Sequence, residues 1–288
     1  MADGSDGRKR NRKALILIIE RKQQIVSSNG QTSQTIKNLI IDGIDSDLRA
    51  KLWKLIIRQI SRVKYDYPRS KFNIETKDCG SQALIDIIKD VPRTYQHDEA
   101  FKCDDTNLQK TALFQILVAY AITDSEIGYT QGMNFVAATF LKVIKDPYDA
   151  YLVLQYVMRV LNWRCVYLHN TPKLANLLEI VQKQLYNQDP VLFNHLKENQ
   201  VLPEGSYAQF FLTIGLYNCP EDISFQILDL FLLEGEKSLI RILVNCMILN
   251  SEILMSFVDQ IDLYTYIQKE MIQESFNRYG MAKIIQGK

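Results

Sequence analysis

The chain has 288 residues, of which 47% are hydrophobic and 23% are charged, and its formal net charge is +1. This composition is typical of a globular domain with a large apolar core, and the near-zero net charge provides no overall field that would favour nucleic acid. The longest early apolar run, residues 14–19, is much shorter than the ~20 residues of a membrane-spanning helix. We therefore expect no transmembrane segment, and at most peripheral association with a membrane.

Residues 1–35 are predicted to be a flexible leader. Helical periodicity then dominates, strand alternation bounded by hairpin turns is almost absent, and no fixed-period repeat is found. The predicted fold class is all-α and compact, with two helical subdomains at 36–170 and 171–288. Helices are predicted over residues 46–60, 81–90, 106–121, 131–144, 149–161, 171–187, 189–199, 205–217, 221–233, 237–249, 251–259 and 262–278.

The predicted helix over 81–90 is followed closely by an arginine. The residue before a proline avoids the α region, so Pro92 predicts a helix end near Asp90, with Ser81 as N-cap at the start. Arg93 then lies just past the break, either as an ordinary surface charge or as a side chain held out towards another molecule. The predicted buried stripe of this helix consists of Leu84, Ile85, Ile87 and Ile88.

A second informative stretch is IGYTQGMNF, residues 127–135. Gly128 is predicted to end the preceding helix, which leaves Gln131 beside the start of the next one. Gly132 has no side chain, so another surface could approach the backbone closely there. A glycine-rich connection with a capping glutamine is the simpler interpretation of these residues alone, and it stays open.

The residue patterns of several enzyme classes are missing. The stretch GEKS at 235–238 lacks the spacing of a phosphate-binding loop, and no Gly-x-Ser-x-Gly is present. Five scattered cysteines have neither metal nor redox spacing, which favours reduced thiols and the cytosol. Arg93 and Gln131 are neither nucleophiles nor good bases, but together they suit stabilisation of a transferring phosphoryl group and orientation of water. The nucleotide would then belong to a partner.

Three segments carry a resemblance to a known family. They are GIDSDLRAKLW at 43–53, IIKDVPRT at 87–94 with an Ile-x-x-Asp-x-x-Arg pattern, and YTQGM at 129–133 with a Tyr-x-Gln-Gly pattern. A weaker fourth segment is ILDLFLLEG at 227–235, which contains Asp229 and Gly235. In these motifs, over roughly residues 36–280, the chain resembles the TBC domain, the GTPase-activating module for Rab-family GTPases. It departs from the family pattern at Gln96, where proline is frequent, and at Phe210 and Phe211, where tryptophan is usual.

The resemblance implies a TBC fold and a dual-finger mechanism in trans. Arg93 would neutralise charge on the γ-phosphoryl group of the partner's GTP, and Gln131 would position the hydrolytic water. Asp90 would hold the Arg93 loop and Arg49 would pair with Asp90, although a fold-stabilising ion pair is an equal alternative for both. Tyr129 and Trp53 are interpreted mainly as packing residues. The residues implied to support the two fingers are Asp90, Arg49, Thr94, Tyr129 and Gly132.

The resemblance also implies the setting of the reaction. The partner would be a Rab-family small GTPase in its GTP-bound form, which brings its own GTP and Mg²⁺, so the chain would have no cofactor or metal site and would not be an enzyme alone. It would be cytoplasmic, recruited to endomembranes, and would regulate vesicle trafficking. The alternative function is a catalytically silent TBC-like helical scaffold that binds a small GTPase without accelerating hydrolysis.

Overall fold

The computed structural model describes residues 12–18, 34–60, 80–96 and 108–287, together with Phe72, Asp98 and Phe101. The secondary structure of these residues is helical, and no β-strand occurs among them, which confirms the all-α prediction. In chain order the helices are α1 (12–18), α2 (Gln34–Ile41), α3 (Ser46–Ile60), α4 (Ser81–Arg93), α5 (Leu108–Thr123), α6 (Met133–Ile144), α7 (Pro147–Gln155), α8 (Pro172–Gln188), α9 (Pro190–Glu198), α10 (Pro203–Ser206), α11 (Ala208–Leu212), α12 (Glu221–Glu234), α13 (Glu236–Leu249), α14 (Ser251–Ser256), α15 (Gln260–Lys269) and α16 (Met271–Gln286).

The chain divides into two compact units. The first consists of Met1–Ile56 with Pro172–Lys288, and the second of Ile57–Thr171. Residues 36–56, assigned by sequence to the N-terminal subdomain, belong to the first unit because α2 packs on α12 and side chains of α3 bond to Asp229. In the described part of the chain, no helix is both long and apolar enough to cross a bilayer.

The second unit is built around α5. This helix packs against α4, α6 and α7, and it is apolar on most sides, as expected for a helix at the centre of a core. A π-helical turn, Tyr156–Val160, continues α7, and a 3₁₀ turn, Trp163–Val166, follows. The α5 residues that are buried include Leu113, Ile116, Leu117, Val118 and Tyr120. The motif at residues 87–94 forms the end of α4, and the motif at residues 129–133 leads into α6.

The first unit is centred on α13, which packs against α8, α12 and α16. Its core contains a buried ion pair, in which the Nε of Arg49 donates to both carboxylate oxygens of Asp229 at 3.1 Å. Trp53 Nε1 donates to the same carboxylate at 2.6 Å, and Arg49 Nη2 donates to the Ile44 carbonyl at 3.0 Å. Burial raises the pKa of Asp229 to about 6, against the opposing effect of Arg49 and Trp53. The expected pairing of Arg49 with Asp90 is therefore wrong, because the guanidinium is bonded to Asp229.

Several helix boundaries differ from the prediction. Helix α4 does not end near Asp90 but continues through Pro92 to Arg93, and its N-cap is Gly80 rather than Ser81. A proline in the last turn removes one amide donor but does not force the chain to leave the helix. The carbonyl of Pro92, at the end of the helix, accepts a hydrogen bond from Lys110 Nζ.

The faces of α4 also differ from the prediction. Ile87 and Val91 are buried, as is Asp90, but Ile85 is 44% exposed and Ile88 is 55% exposed. Burial of Ile85 and Ile88 was therefore wrongly predicted. Four apolar residues in five positions surround more of a helix than one neighbouring surface can cover.

Two of the later helices are divided. The predicted helix 205–217 is replaced by α10 and α11, which end before Ile214 (φ 53°) and Gly215 (φ 72°). The predicted helix 262–278 is two helices, α15 and α16, that meet at Glu270. The left-handed backbone at residues 214 and 215 is incompatible with a continuing helix.

The prediction of a flexible leader is wrong for residues 12–18, which form α1. Leu15 and Ile18 of this helix are buried. Arg12 pairs with Asp45 and, at 2.7 Å, with Asp47 in the first turn of α3. Residues 34 and 35, also assigned to the leader, begin α2, and the other leader positions lie outside the described residues. Buried apolar side chains and a charge pair at a helix start therefore fix α1.

Replacing Asp229 by leucine should destabilise the protein strongly, because the buried guanidinium of Arg49 then loses its carboxylate. We expect the free energy of unfolding to fall by about 3–5 kcal/mol, measured by urea denaturation followed by circular dichroism. The double variant Arg49→Met/Asp229→Leu removes both charges and should recover much of this loss. Equal losses in the single and double variants would contradict the account.

Candidate functional site

Arg93 is the last residue of α4, and its side chain is 54% exposed. Its Nη2 donates to Oδ1 of Asp90, one helical turn earlier. A guanidinium has five N–H donors, so this bond leaves others available for a further acceptor. The end of α4 therefore presents a solvent-accessible cation whose position is restrained from one side.

Asp90 is the buried centre of the site, with a relative exposure of 2%. Besides the bond from Arg93, its Oδ2 accepts a 2.6 Å hydrogen bond from the hydroxyl of Tyr129. Burial, reinforced by this bond to the carboxylate, raises the pKa of Tyr129, so its phenol stays protonated and remains a donor. One carboxylate thus joins the end of α4 to the segment that precedes α6.

A second connection joins the same two segments. Thr94 is fully buried, and its hydroxyl donates to the Asp90 carbonyl at 2.7 Å. That hydroxyl accepts from Nδ2 of Asn134 at 2.8 Å, and Asn134 Oδ1 accepts from the Gly132 amide at 3.0 Å. Every polar group of the Asn134 side chain therefore bonds to one of the two segments.

Gln131 is exposed and lies directly before Gly132, the N-cap of α6. Gly132 has φ 108°, a conformation that residues with a Cβ rarely adopt. Gly128 also has positive φ, at 60°, and a Cβ there would stand 3.4 Å from that of Ala83 on α4. The glycines thus allow the segment to turn close to α4 and place Gln131 on the surface.

Tyr95, the residue after Thr94, anchors the segment at the end of α4. Tyr95 has φ 47°, and its ring packs edge-on against Phe135 of α6 with centroids 5.4 Å apart. Its hydroxyl lies 2.8 Å from Oγ1 of Thr139, also on α6. The chain is therefore fixed to α6 immediately after α4 ends.

The structure brings six of the seven predicted site residues into one network or directly beside it. Arg49 is the exception, since its partners are Asp229 and Ile44. Sequence reasoning missed Asn134, although a polar residue in the first turn of a helix, next to a glycine, indicates local hydrogen bonding. The six residues are Asp90, Arg93, Thr94, Tyr129, Gln131 and Gly132.

The chemistry available at this site is hydrogen-bond donation rather than nucleophilic attack. Its one carboxylate is already bonded to Arg93 and Tyr129, and its exposed groups are a guanidinium and a primary amide. Within the described residues, no group of three or more His, Cys, Asp and Glu side chains could hold a metal ion. The arrangement can neutralise negative charge and orient a small polar molecule that a partner brings.

Asn134→Ala should loosen both segments, because it removes the acceptor of the Gly132 amide and the donor to Thr94. We expect a loss of about 1–3 kcal/mol in the free energy of unfolding and faster amide hydrogen exchange at Gly132. The matched control is Asn250→Ala, which removes a buried, hydrogen-bonded asparagine of the first unit and should leave Gly132 protected. Unchanged exchange at Gly132 in Asn134→Ala would contradict the bridging role.

The fold and this site define a class: an all-helical domain that exposes an arginine and a glutamine from two hydrogen-bonded segments. The family model described as the Rab-GTPase-TBC domain matches residues 46–255. The chain therefore belongs to the Rab-GTPase-TBC domain family, as its motifs predicted.

Relatives of known name support this assignment. The chain is 28% identical over 249 residues to the GTPase-activating protein GYP5 of Eremothecium gossypii, covering 84% of this chain and 28% of that protein. It is 27% identical over 243 residues to GYP5 of Saccharomyces cerevisiae, covering 84% and 25%, and 23% identical over 257 residues to TBC1 domain family member 4 of Mus musculus, covering 88% and 19%. The chain thus spans 19–28% of the length of these relatives.

Two solved structures share the fold. The Chlamydomonas flagellar RabGAP TBC domain superposes with a TM-score of 0.75 at 16% sequence identity, covering 99% of this chain and 94% of that one. The Ypt/Rab-GAP domain of Gyp1p gives a TM-score of 0.72 at 18% identity, covering 94% and 95%. At these identities the likeness establishes the fold.

Proposed function

We propose that the protein is a GTPase-activating protein for a Rab-family GTPase and that Arg93 and Gln131 are the residues it supplies to the reaction. The observation that carries the proposal is the pair of hydrogen-bonded links, Asp90 to Tyr129 and Thr94 through Asn134 to Gly132, which tie the two segments together. A catalytic arrangement needs its groups held in a fixed mutual geometry, and these buried links provide it.

Arg93 neutralises negative charge that develops on the GTP of the partner. Negative charge spreads over the oxygens of a transferring γ-phosphoryl group, and a planar guanidinium with several donors neutralises it better than a single ammonium does. The bond to Asp90 orients the guanidinium while the half-exposed end of the side chain remains accessible. An arginine supplied in this way accelerates hydrolysis by roughly 10³–10⁵, or about 4–7 kcal/mol of barrier.

Gln131 acts on the attacking water. A primary amide both donates and accepts hydrogen bonds, so it can fix the position of a water molecule without removing its proton. Its place before the rigid turn at Gly132 restricts where the amide can reach. GTP and Mg²⁺ come with the GTPase in its GTP-bound form, and the chain itself needs no cofactor. We extend the proposal to a cytoplasmic protein that is recruited to endomembranes and regulates vesicle trafficking.

Arg93→Ala should remove most of the acceleration, about 10³-fold or more, and leave the protein folded, because the Arg93 side chain is 54% exposed and Asp90 keeps its hydrogen bond from Tyr129. Arg93→Lys keeps the charge but loses the planar donors, so we expect a loss of similar order. Single-turnover phosphate release from a panel of GTP-loaded Rab proteins measures the effect.

The matched control for Arg93 is Arg278→Ala. Arg278 is 50% exposed and lies 3.8 Å from Glu274, an ion pair within one helical turn like that of Arg93. It belongs to α16 of the first unit and should leave the rate unchanged. A fully active Arg93→Ala protein on its best Rab substrate would refute the assignment.

Gln131→Ala should lower the maximal rate by about 10²-fold, the effect of losing one oriented hydrogen-bonding group, and leave the half-saturating concentration nearly constant. Binding to each GTP-loaded Rab is measured in parallel. A loss confined to binding would make Gln131 a contact residue. Wild-type protein that binds a Rab without accelerating hydrolysis would establish the silent scaffold instead.

A further inference from the structure

The segment that carries Gln131 is also held at its other end, where it leaves α5. Residues 124–127 form a turn directly after the last residue of that helix. The carbonyl of Asp124 accepts hydrogen bonds from the amide of Ile127 at 3.2 Å and from the amide of Gly128 at 2.8 Å. The turn is therefore closed by its own backbone immediately before the Tyr-x-Gln-Gly motif.

Arg164 bonds to this turn from the 3₁₀ turn Trp163–Val166. Its Nε and Nη2 donate to the two carboxylate oxygens of Asp124 at 2.7 Å and 3.0 Å, and Nη2 also donates to Glu126 at 2.5 Å. The hydroxyl of Tyr120 donates to the Asp124 carboxylate at 3.1 Å. Two parallel bonds from one guanidinium fix the direction of a carboxylate as well as its distance. Arg164 thus clamps the turn to a different part of the second unit.

The clamp is largely shielded from water. Asp124 is 9% exposed, and the side chain of Arg164 is 24% exposed. Burial opposes the charged form of Asp124, but the bonds from Arg164 and Tyr120 outweigh it and hold the pKa of this carboxyl below its ordinary value. The carboxylate is therefore ionised near neutral pH, and the ion pair is present under the conditions in which GTP hydrolysis is measured.

We propose that Arg164 is a positioning residue for Gln131. By fixing the turn after α5, it sets the direction in which the segment of Gln131 leaves the helix. The inference rests on the proposed function, in which the amide of Gln131 orients the attacking water. Arg164 acts through the backbone of the turn, so its role requires no contact with the GTPase.

Gln131 lies between two anchored glycines. After it, the amide of Gly132 bonds to Asn134 Oδ1 at 3.0 Å, and before it, the amide of Gly128 bonds to the Asp124 carbonyl. Only three residues separate the two glycines, so the path of the backbone between them depends on both anchors. Misplacement of a reacting group by about 1 Å can reduce a rate by about 10²-fold. Releasing the anchor at the α5 end should therefore slow hydrolysis.

The test measures single-turnover rates on the GTP-loaded Rab that the wild-type protein accelerates most. Arg164→Met removes the donors to the turn and should lower the limiting rate about tenfold. The loss is smaller than that of Gln131→Ala because the bond from Tyr129 to Asp90 remains. The half-saturating concentration should change less than about twofold. The matched control is Arg241→Met, which removes a 29% exposed, ion-paired arginine of the first unit and should leave both values unchanged.

A double variant shows whether Arg164 acts through Gln131. If it does, the clamp has nothing left to position once the glutamine is removed. Arg164→Met/Gln131→Ala should then be within about twofold of Gln131→Ala alone. An arginine that only stabilised the fold would lower the rate equally in both backgrounds. In Arg164→Met the amides of Ile127 and Gly128 should also exchange hydrogen faster, and unchanged exchange there would overturn the clamp.

The outcomes separate this inference from the proposed function. An active wild type whose Arg164→Met variant keeps its limiting rate, or whose two losses multiply in the double variant, overturns the positioning role and leaves the proposed function standing. A wild type inactive on the whole Rab panel overturns both. If Arg164→Met does not fold, Arg164→Lys decides, because it keeps a charge beside Asp124 but loses the planar fork. A lower limiting rate at unchanged half-saturation then supports the role, and a wild-type rate overturns it.

Discussion

The site depends on one buried carboxylate. Asp90 accepts from Arg93 on one oxygen and from Tyr129 on the other, so a single side chain orients the end of α4 and the start of the next motif. A buried charge is stable only when its hydrogen-bonding capacity is satisfied. The two hydrogen bonds that satisfy the buried carboxylate of Asp90 therefore also restrain both segments. One set of bonds stabilises the fold and fixes the geometry of the site.

Much of the fold follows from local sequence. The periodicity over 46–60 and 221–233 predicts helices that the structure contains with nearly the same limits. Helix boundaries were less predictable where they depend on more than the local residue pattern. Pro92 is accommodated in the last turn of α4, and Gly215 and Ile214 interrupt a helix through backbone conformations that composition does not reveal.

The site was predictable in its residues but not in its bonds. The motifs identified Asp90, Arg93 and Gln131, whereas the partner of Arg49 was wrongly expected, because pairing across 180 positions is decided by the packing of α3 on α12 rather than by either motif. Asn134 was missed for a related reason, since its bond to Thr94, 40 positions away, exists only when α4 and α6 pack around α5. The exposure of Ile85 could not be predicted either, because four apolar residues in five positions do not indicate which side of the helix faces a neighbour.

The two units also differ in when they can be completed on the ribosome. The second unit is one continuous stretch, Ile57–Thr171, so all of its residues have been synthesised before those of α8. The first unit joins Met1–Ile56 to Pro172–Lys288, and the guanidinium of Arg49 lacks its carboxylate until residue 229 is added. At 5–20 residues per second this delay is about 10–40 s. The nascent chain must therefore carry an early helix with an unmatched charge while the segment that bears Arg93 and Gln131 is already whole.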